Sequence, residues 1–359
     1  MRVGVVFGGR SVEHLVSLRS ARTVCEGLAA AGHEVVPVYL DERGCCADVD
    51  VSARVLTDQT PWRAPTGRPG DHLHHLTSAA LDAVFPIVHG TYGEDGKLQG
   101  LLEMLDLPYV GCDTAASAVA MDKVLSKRMF QAAGIPVVLW VSLDREAFAA
   151  RGLADVHDFV DATALPLFVK PAVGGSSVGC VKVKTREALQ DAVAFALRFD
   201  TACLIERGVT AREVEIAVLG SSASTMEASV PGEIVPGGDF YDYADKYLKD
   251  DAKLLAPAPV DDVTLTALKA AAIAAMKAIG GAGLSRVDFF VGADGRFFLN
   301  EINTLPGFTS VSMYPRLWGL TGVPLPQLCD RLVRLAIERH AEKEKTDAAL
   351  RAFVANPSG

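Results

Sequence analysis

A short apolar run, Val3-Gly-Val-Val-Phe7, constrains the fold of this chain more than any other segment. It contains no polar position and is too short for a typical helix, which favours a strand that is buried on both faces. Apolar residues then recur near helical spacing over 15–28, and two further strands are predicted over 35–40 and 83–88. This alternation predicts a doubly wound parallel sheet, in which ligands bind at the carboxyl ends of the strands.

Length, charge and cysteine content limit the architecture and the ligands. With 359 residues, the chain exceeds one typical core, so two or three domains are expected. Its net charge of -9 argues against a broad nucleic-acid surface, and no apolar run approaches the ~18 residues of a membrane helix. Seven cysteines without a C-x-x-C pair indicate reduced thiols, and Cys45 and Cys46 are interpreted as exposed loop residues. We therefore expect a cytoplasmic protein that binds neither nucleic acid nor membrane.

Other stretches depart from the opening pattern. Residues 41–75 are rich in polar and turn-forming residues, so we interpret them as an irregular surface segment. From Glu213, the alternation through Val218 predicts a half-exposed strand, and an alanine-rich helix is predicted over 261–279. Beyond His340, charged residues favour a solvated tail.

A predicted β-hairpin carries the clearest chemical pattern. Strands over 285–291 and 296–303 flank the turn Gly292-Ala-Asp-Gly295. If Val291 pairs with Arg296, Asp288 lies opposite Leu299, and the period-two alternation of side chains decides which residues share a face. The polar residues on one face are then Arg286, Asp288, Glu301 and Asn303.

This shared face has the ligand types of a magnesium site. Two carboxylates and an amide oxygen suit Mg²⁺, and Arg286 adds a fixed positive fork for a carboxylate or phosphate. Asn300 is predicted to point to the opposite face. The alternative is a solvated hairpin with an Arg286–Glu301 pair. Flanking phenylalanines indicate instead that the hairpin is mostly buried, where clustered acids need a compensating cation.

A glycine- and serine-rich loop lies between two more predicted strands. It runs from Lys170 to Gly179 and contains Gly174-Gly-Ser-Ser177. Glycines let a backbone approach phosphates closely, and successive N–H groups can form an anion-binding nest. Lys170 at a strand end and Lys123 at a helix start are in suitable positions to reach phosphates. Taken singly, such a loop is more often a hairpin turn, and such lysines are more often solvated.

Together these motifs resemble the ATP-grasp superfamily, and closely the D-alanine–D-alanine ligases, over residues 1–340. The matching segments begin at Gly8-Gly-Arg-Ser-Val-Glu13, His89-Gly-Thr-Tyr-Gly-Glu94, Met121-Asp-Lys123, Lys170-Pro, Gly175-Ser-Ser, Leu204-Ile-Glu206, Ala211-Arg-Glu213, Phe240-Tyr-Asp-Tyr, Lys246-Tyr247, Arg286-Val-Asp288 and Asn300-Glu-Ile-Asn303. The resemblance implies an N-terminal α/β substrate-binding domain, a two-part ATP-grasp fold with central and C-terminal parts, a lid within the C-terminal part, and a solvated tail. The predicted bounds are 1–122 for the N-terminal domain, 123–212 for the central part and 213–345 for the C-terminal part. Within the C-terminal part the lid spans 236–256, and the tail spans 346–359.

By this resemblance, ATP lies between the central and C-terminal parts. Lys123 and Lys170 contact its phosphates, and Glu206 and Glu213 contact its adenine–ribose side. The full set of implied ATP-binding residues is Lys123, Lys170, Ser176, Ser177, Glu206, Glu213 and Lys246. Two Mg²⁺ ions, for which Mn²⁺ is an expected substitute, are held by Asp288, Glu301 and Asn303. Whether a monovalent cation also binds stays open.

Two D-alanines are the implied substrates. Glu13 binds the ammonium of the first, with His89 nearby. Ser312 and the Met313 backbone hold the carboxylate of the second. The alternative for Glu13 is an acid favoured at a helix start by the helix dipole, and the alternative for His89 is a strand-end histidine with satisfied hydrogen bonds.

The resemblance also implies the catalytic residues. Arg286, which belongs to the substrate-binding set as well, and the Gly307 N–H stabilise a tetrahedral oxyanion. Tyr247 in the lid completes a hydrogen-bonded triad with Glu13 and Ser176. A closed lid would exclude water from a reactive intermediate.

The implied activity is ATP-dependent joining of two D-alanines. Because members of the family are commonly dimers, the resemblance also implies a homodimer. One alternative is a D-alanine–D-lactate or D-alanine–D-serine ligase of the same fold, against which the pair Lys246-Tyr247 argues. A second alternative is a non-catalytic ATP-binding module, because fold alone never proves activity.

Overall fold

Three β-sheets with packed helices make up the computed structural model, which describes residues 1–68, 70–71, 74–221, 226–235 and 253–356. The strands are β1 (Arg2–Gly8), β2 (Glu34–Leu40), β3 (Ala83–Pro86), β4 (Trp140–Asp144), β5 (Leu167–Pro171), β6 (Val181–Val183), β7 (Ala202–Arg207), β8 (Arg212–Gly220), β9 (Glu227–Val235), β10 (Lys253–Leu255), β11 (Gly283–Val291) and β12 (Phe297–Asn303). The α-helices are α1 (His14–Ala30), α2 (Val49–Asp58), α3 (His74–Ser78), α4 (Lys97–Met104), α5 (Thr114–Met121), α6 (Lys123–Ala132), α7 (Arg145–Arg151), α8 (His157–Ala162), α9 (Leu189–Ala196), α10 (Asp262–Ala278), α11 (Met313–Leu320) and α12 (Leu325–Ala355). Within the described ranges, no helix has the length and apolar character needed to cross a bilayer.

The first sheet is parallel, with the strand order β2–β1–β3. Val3, Val5 and Phe7 of β1 pack in a core that includes residues of α1 and α12, whereas Val6 faces a second core that includes residues of α3 and α4. Burial on both faces explains the continuous apolar run of β1. The predicted fold class, a parallel-sheet α/β domain followed by mixed α and β structure, is confirmed.

The second sheet is antiparallel, with the order β4–β7–β5–β6. Its apolar side packs against α7, α8 and α9. Lys170 is near the end of β5, and Glu206 is near the end of the adjacent strand β7. The sheet therefore brings two of the predicted nucleotide-binding residues onto neighbouring strands.

The third sheet, also antiparallel, has the order β10–β9–β8–β11–β12, so β8 is its central strand. Val214 and Ile216 pack in the core of α10, whereas Ala217 and Leu219 pack in the core that includes residues of α11 and α12. The prediction of a half-exposed strand from Glu213 is therefore wrong. Alternation occurs here because glutamates on one face turn toward a cleft, while helices cover the rest of both faces.

The register of the predicted hairpin is corrected by the structure. Val291 pairs with Phe297 instead of Arg296, and Asp288 pairs with Glu301 instead of Leu299. The loop takes one more residue than predicted, and a register shift past Phe289 leaves Asn300 without a pairing partner. The longer loop and the register shift each move the pairing by one residue, so the predicted pairing of Asp288 is wrong by two residues. Because side chains alternate with a period of two, the predicted polar residues still share a face.

Two further predictions are corrected. The segment 41–75, expected to be irregular, contains α2, whose first turn is capped by the side chain of Asp48. Cys45 and Cys46 are buried instead of exposed. The predicted tail 346–359 is helical as far as Ala355, with mostly exposed side chains, and its last three residues lie outside the described ranges.

Candidate active site

A cavity of about 410 Å³ lies where the three sheets meet. Fourteen of the residues predicted from the sequence line it: Glu13, His89, Lys123, Lys170, Ser176, Ser177, Glu213, Arg286, Asp288, Glu301, Asn303, Gly307, Ser312 and Met313. Glu206 is buried behind this lining. Lys246 and Tyr247, with most of the predicted lid 236–256, lie outside the described residues, and the lid's end forms β10 beside β9.

Glu13 connects the N-terminal sheet to the glycine–serine loop. It immediately precedes α1, but its carboxylate does not cap that helix. Instead it accepts a hydrogen bond from the Ser176 hydroxyl. Two members of the predicted triad are thus in contact across 163 residues of chain. This geometry favours a role in the cleft over the alternative of a simple helix-start acid.

His89 is anchored on both sides of its ring. Nδ1 lies 3.0 Å from the Leu305 carbonyl, and Nε2 lies 2.8 Å from the Ser20 hydroxyl. The same hydroxyl accepts a hydrogen bond from the Phe308 N–H at 3.1 Å. His89 therefore fixes the loop that follows β12, and a direct contact between His89 and substrate stays a prediction.

Glu94 is an acid that sequence reasoning did not assign, although it lies in the motif that begins at His89. It lines the cavity and accepts a hydrogen bond from the Gly90 N–H at 2.8 Å. Burial raises the pKa of Glu94, and the charge of Glu13 raises it further. Burial alone would lower the pKa of His89, but the side chain of Glu94 outweighs burial and raises it.

The two predicted phosphate-binding lysines approach the cavity from different elements. Lys123 is the first residue of α6, where Asp122 caps the helix, and its Nζ donates to the Gly174 carbonyl at 2.6 Å. Lys170 Nζ donates to Asn300 Oδ1 at 3.4 Å. The prediction that Asn300 points away from the site is therefore wrong. The register shift in the hairpin places Asn300 in the cavity lining.

The glycine–serine loop that connects β5 to β6 has an unusual backbone. Ser176 and Ser177 have φ angles of 54° and 58°, a left-handed conformation that non-glycine residues seldom adopt. Such conformations cost about 1–3 kcal/mol each and persist where surrounding structure holds them. Here they direct two hydroxyl-bearing residues into the cavity lining. The loop is therefore more than a simple hairpin turn between β5 and β6.

Behind the cavity, one carboxylate contacts two lysines. Glu206 lies 2.8 Å from Lys127 Nζ and 2.7 Å from Lys170 Nζ. Burial alone would raise the pKa of Glu206, but the two positive charges outweigh it and lower the pKa to about 2. Sequence reasoning missed Lys127, although its spacing of four from Lys123 on a helix places both on one side.

The hairpin face carries the predicted metal ligands. Arg286 donates to both oxygens of Asp288, at 2.8 and 2.7 Å, and lies 3.2 Å from Glu215. The amide of Asn303 donates to Asp288 at 3.0 Å. Burial alone would lower the pKa of Arg286, but Asp288 and Glu215 raise it well above its ordinary value, so the guanidinium stays charged.

This donor set fits a divalent metal. Asp288 and Glu301 are directly opposite each other on neighbouring strands, both line the cavity, and the amide oxygen of Asn303 is the other hard ligand on that face. Glu215 was missed as a site residue, although the alternation Glu213-Val-Glu215 places both glutamates on one face. Its signal was therefore present in the sequence.

The loop after β12 brings the last predicted residues to the cavity. The Ser312 hydroxyl accepts a hydrogen bond from the Thr309 N–H at 2.9 Å. A Cβ at Gly307 would lie 2.9 Å from this hydroxyl, so the tight loop requires glycine there. Met313 begins α11 directly after Ser312. The loop therefore presents backbone and hydroxyl groups to the same space as Arg286.

Comparisons with known proteins agree with this geometry. Two family models match, one described as D-ala D-ala ligase N-terminus over residues 2–112 and one as D-ala D-ala ligase C-terminus over residues 129–334. The D-alanine–D-alanine ligase of Chlorobium limicola is 40% identical over 97% of this chain and 98% of its own length. D-alanine–D-alanine ligase A of Escherichia coli K12 is 42% identical over 95% of this chain and 97% of its own.

Solved structures of such ligases are also similar. The D-alanine–D-alanine ligase from Coxiella burnetii superposes with a TM-score of 0.82 at 34% identity, covering 100% of this chain and 99% of that one. The VanG D-Ala:D-Ser ligase from Enterococcus faecalis superposes with a TM-score of 0.78 at 32% identity, covering 93% of this chain and 99% of that one. Both likenesses extend over all three sheets.

Proposed function

The chain belongs to the D-alanine–D-alanine ligase family, and on this premise we propose that its central cavity binds ATP with two D-alanines and joins the amino acids to each other. The protein is an ATP-dependent, ADP-forming carbon–nitrogen ligase, and its dipeptide product serves peptidoglycan precursor synthesis. The observation that carries the site assignment is the convergence of predicted residues from all three sheets on one cavity.

The reaction proceeds through an acyl phosphate. A carboxylate oxygen of the first D-alanine attacks the terminal phosphorus of ATP, and the bond from that phosphorus to ADP breaks. The amine of the second D-alanine then attacks the activated carbonyl carbon, giving a tetrahedral oxyanion that collapses with loss of phosphate. Activation is needed because a free carboxylate resists nucleophilic attack. Arg286 and the Gly307 N–H stabilise the oxyanion.

Nucleotide binding is assigned to the side of the cavity formed by α6, β5 and the glycine–serine loop. Lys123 and Lys170 contact the phosphates, supported by their positions in the cavity lining, and Ser176 and Ser177 add hydroxyl donors. The remaining members of the proposed ATP-binding set are Glu206, Glu213 and Lys246. Direct contact of Glu206 with the adenine–ribose side stays a prediction, since its carboxylate is occupied by two lysines.

The family uses ATP with a divalent metal, and we assign two Mg²⁺ ions to Asp288, Glu301 and Asn303, with Mn²⁺ as a substitute. When bound, the metal neutralises phosphate charge and polarises the transferring phosphoryl group. Arg286 holds Asp288 in place through two hydrogen bonds, so the carboxylate is oriented before the metal arrives. Activation by a monovalent cation is left to experiment.

Substrate binding is assigned to the opposite side of the cavity. Glu13 binds the ammonium of the first D-alanine, and His89 supports it by fixing the neighbouring loop. Ser312 and the Met313 backbone hold the carboxylate of the second D-alanine. We assign Tyr247 to a triad with Glu13 and Ser176, and the segment 236–256 to a lid that protects the acyl phosphate from water.

The cellular setting follows from the chemistry. Because the reaction consumes ATP and all seven cysteines are free thiols, we propose a cytoplasmic location. A homodimer is proposed from the resemblance to the ligase family.

The decisive experiment measures ADP release by purified protein with ATP, Mg²⁺ and a panel of second substrates. D-alanine alone should support turnover and yield the dipeptide. D-serine belongs in the panel because the chain resembles a D-Ala:D-Ser ligase in structure, and D-lactate tests depsipeptide formation. A preference for D-serine or D-lactate at neutral pH would replace the substrate assignment. ATP binding without ADP release would indicate a non-catalytic module.

A further inference from the structure

A buried trio of charged residues, Lys127, Glu206 and Lys170, lies directly behind the nucleotide side of the cavity. Lys127 Nζ is 2.8 Å from one oxygen of Glu206, and Lys170 Nζ is 2.7 Å from the other. The side chains of Lys127 and Glu206 are 1% and 2% exposed, whereas that of Lys170 is 13% exposed and reaches the cavity. The Glu206 carboxylate thus contacts Lys170, which faces the cavity, and Lys127, which does not.

The charge balance of this trio differs from that of an ordinary ion pair. Lys170 and Glu206 alone would be neutral, and a neutral pair presents little net charge to a phosphate. Lys127 raises the formal charge of the trio to +1. Burying a charged lysine is costly, and an apolar residue of the same volume would serve packing at least as well. Burial lowers the pKa of Lys127, and the charge of Glu206 opposes this shift. The placement of Lys127 2.8 Å from the Glu206 carboxylate therefore favours an electrostatic role.

The location of Lys127 connects this trio to the other phosphate-binding lysine. Lys127 is on α6, one turn after Lys123, which donates to the glycine–serine loop at Gly174. Lys170 in turn donates to Asn300 beside the predicted metal ligands. Helix α6 therefore supports the nucleotide side at two points: Lys123 directly, and Lys170 through Glu206.

We propose that Lys127 is a positioning residue for nucleotide binding. It engages one oxygen of Glu206, so that Glu206 orients Lys170 without neutralising the positive charge that the cavity presents. Lys127 itself does not touch the nucleotide. The inference rests on the proposed function in one respect, namely that the anion facing Lys170 is the triphosphate of ATP.

The test compares Lys127→Met with Lys127→Arg and with Lys277→Met, an exposed lysine on α10 that serves as the matched control. Isothermal titration calorimetry gives the Kd of ATP with Mg²⁺, without D-alanine. Steady-state assays give KM for ATP, KM for D-alanine and kcat. In Lys127→Met, Glu206 keeps Lys170 as its partner, so no buried carboxylate is left alone.

We expect Lys127→Met to raise the Kd and KM of ATP by about tenfold, the scale of one charge lost near a phosphate at moderate effective dielectric constant. The KM of D-alanine should stay unchanged. Lys127→Arg should retain most of the affinity, and the control should bind as the wild type does. The inference is overturned if Lys127→Met binds ATP normally, if Met and Arg weaken binding equally, or if the KM of D-alanine rises in parallel.

A double-mutant cycle with Glu206→Gln separates charge from packing. Without the carboxylate, Lys170 is no longer neutralised, so loss of Lys127 should matter much less in the Glu206→Gln background. If Lys127→Met alone does not fold, Lys127→Gln takes its place in the same cycle. Equal losses in both backgrounds would refute a role of Lys127 that acts through Glu206. If the wild type releases no ADP with D-alanine, the proposed function fails, yet the Kd comparisons still test Lys127.

Discussion

Replacing Arg286 with methionine should destabilise the protein and abolish its activity together. Arg286 joins two acids of the cavity: it forms two hydrogen bonds to Asp288, at 2.8 and 2.7 Å, and an ion pair with Glu215 at 3.2 Å. Methionine fills similar space but leaves those carboxylates without the cation between them. Glu301 lies directly across from Asp288, which adds a third acid to the cluster.

The expected loss follows from the burial of these groups. The side chain of Arg286 is 22% exposed, that of Asp288 15% and that of Glu215 3%. Removing one partner of a buried pair costs about 3–5 kcal/mol, and partial exposure favours the lower end, about 3 kcal/mol. For large domains each kcal/mol lowers Tm by about 2 °C, so we expect the apparent Tm to fall by about 6 °C.

Thermal unfolding followed by circular dichroism, with and without Mg²⁺, measures this change. Mg²⁺ should raise the Tm of Arg286→Met more than that of the wild type, because a cation at the hairpin face offsets the lost guanidinium. Dipeptide formation should disappear, since the oxyanion loses its positive partner. The matched control is Arg296→Met on the same hairpin, where the Arg296 side chain is 85% exposed and pairs with Asp294. Exposed pairs of this kind contribute little.

Equal Tm changes in Arg286→Met and Arg296→Met would refute the reasoning, because the difference in burial would then have no energetic consequence. Normal dipeptide formation by a folded Arg286→Met variant would refute its assignment to the oxyanion. A Tm response to Mg²⁺ that is the same in variant and wild type would argue against a cation site at this hairpin face.

Three more predictions test other parts of the cavity. Glu301→Gln should abolish ADP release without unfolding the protein, since it removes a metal-binding charge; normal turnover would exclude Glu301 as a ligand. The pKa of Glu206 is lowered from 4.5 to about 2 in the folded protein, so its ionised carboxylate stabilises the fold above pH 4.5. This contribution is lost as pH falls toward 2. Glu206→Gln should therefore flatten the acid dependence of the unfolding free energy by about 3 kcal/mol over that range, and an unchanged slope would contradict it. A Cβ at Gly90 would lie 2.6 Å from the Glu13 carboxylate, so Gly90→Ala should raise the KM of D-alanine. The control Gly280→Ala, at a glycine with a similar φ but open space around it, should leave that KM unchanged. Equal effects of the two variants would indicate backbone strain alone.

The sequence contained the signals for most of the cavity because those signals are local. The apolar run of β1 required burial on both faces, and period-two alternation grouped the acids of the hairpin. The register itself was not predictable, because the loop length and the irregularity at Asn300 depend on the neighbouring strand β8 and on Lys170. The predicted face is correct only because the error in loop length and the missed register shift, one residue each, together move the pairing by two residues.

Burial was harder to predict than periodicity. The strand that begins at Arg212 shows alternation, yet helices cover both faces, and its glutamates point into the cleft instead of into solvent. Lys127 was missed for the same reason, since a single lysine in a sequence is usually solvated. Only the tertiary arrangement of α6 behind β7 shows that this lysine is buried against Glu206.

The charge balance of the cavity bears on the number of metal ions. Among the described residues that line it, six are carboxylates and four are cationic, a formal balance of -2. The acids are Glu13, Glu94, Glu213, Glu215, Asp288 and Glu301, and the cations are Arg19, Lys123, Lys170 and Arg286. A triphosphate adds about four negative charges, which this lining cannot neutralise by itself. Two divalent cations contribute as much positive charge as the triphosphate contributes negative charge, whereas one leaves half of it uncompensated. This charge balance supports the proposal of two ions, which we assign to the pair Asp288 and Glu301 that face each other across the hairpin.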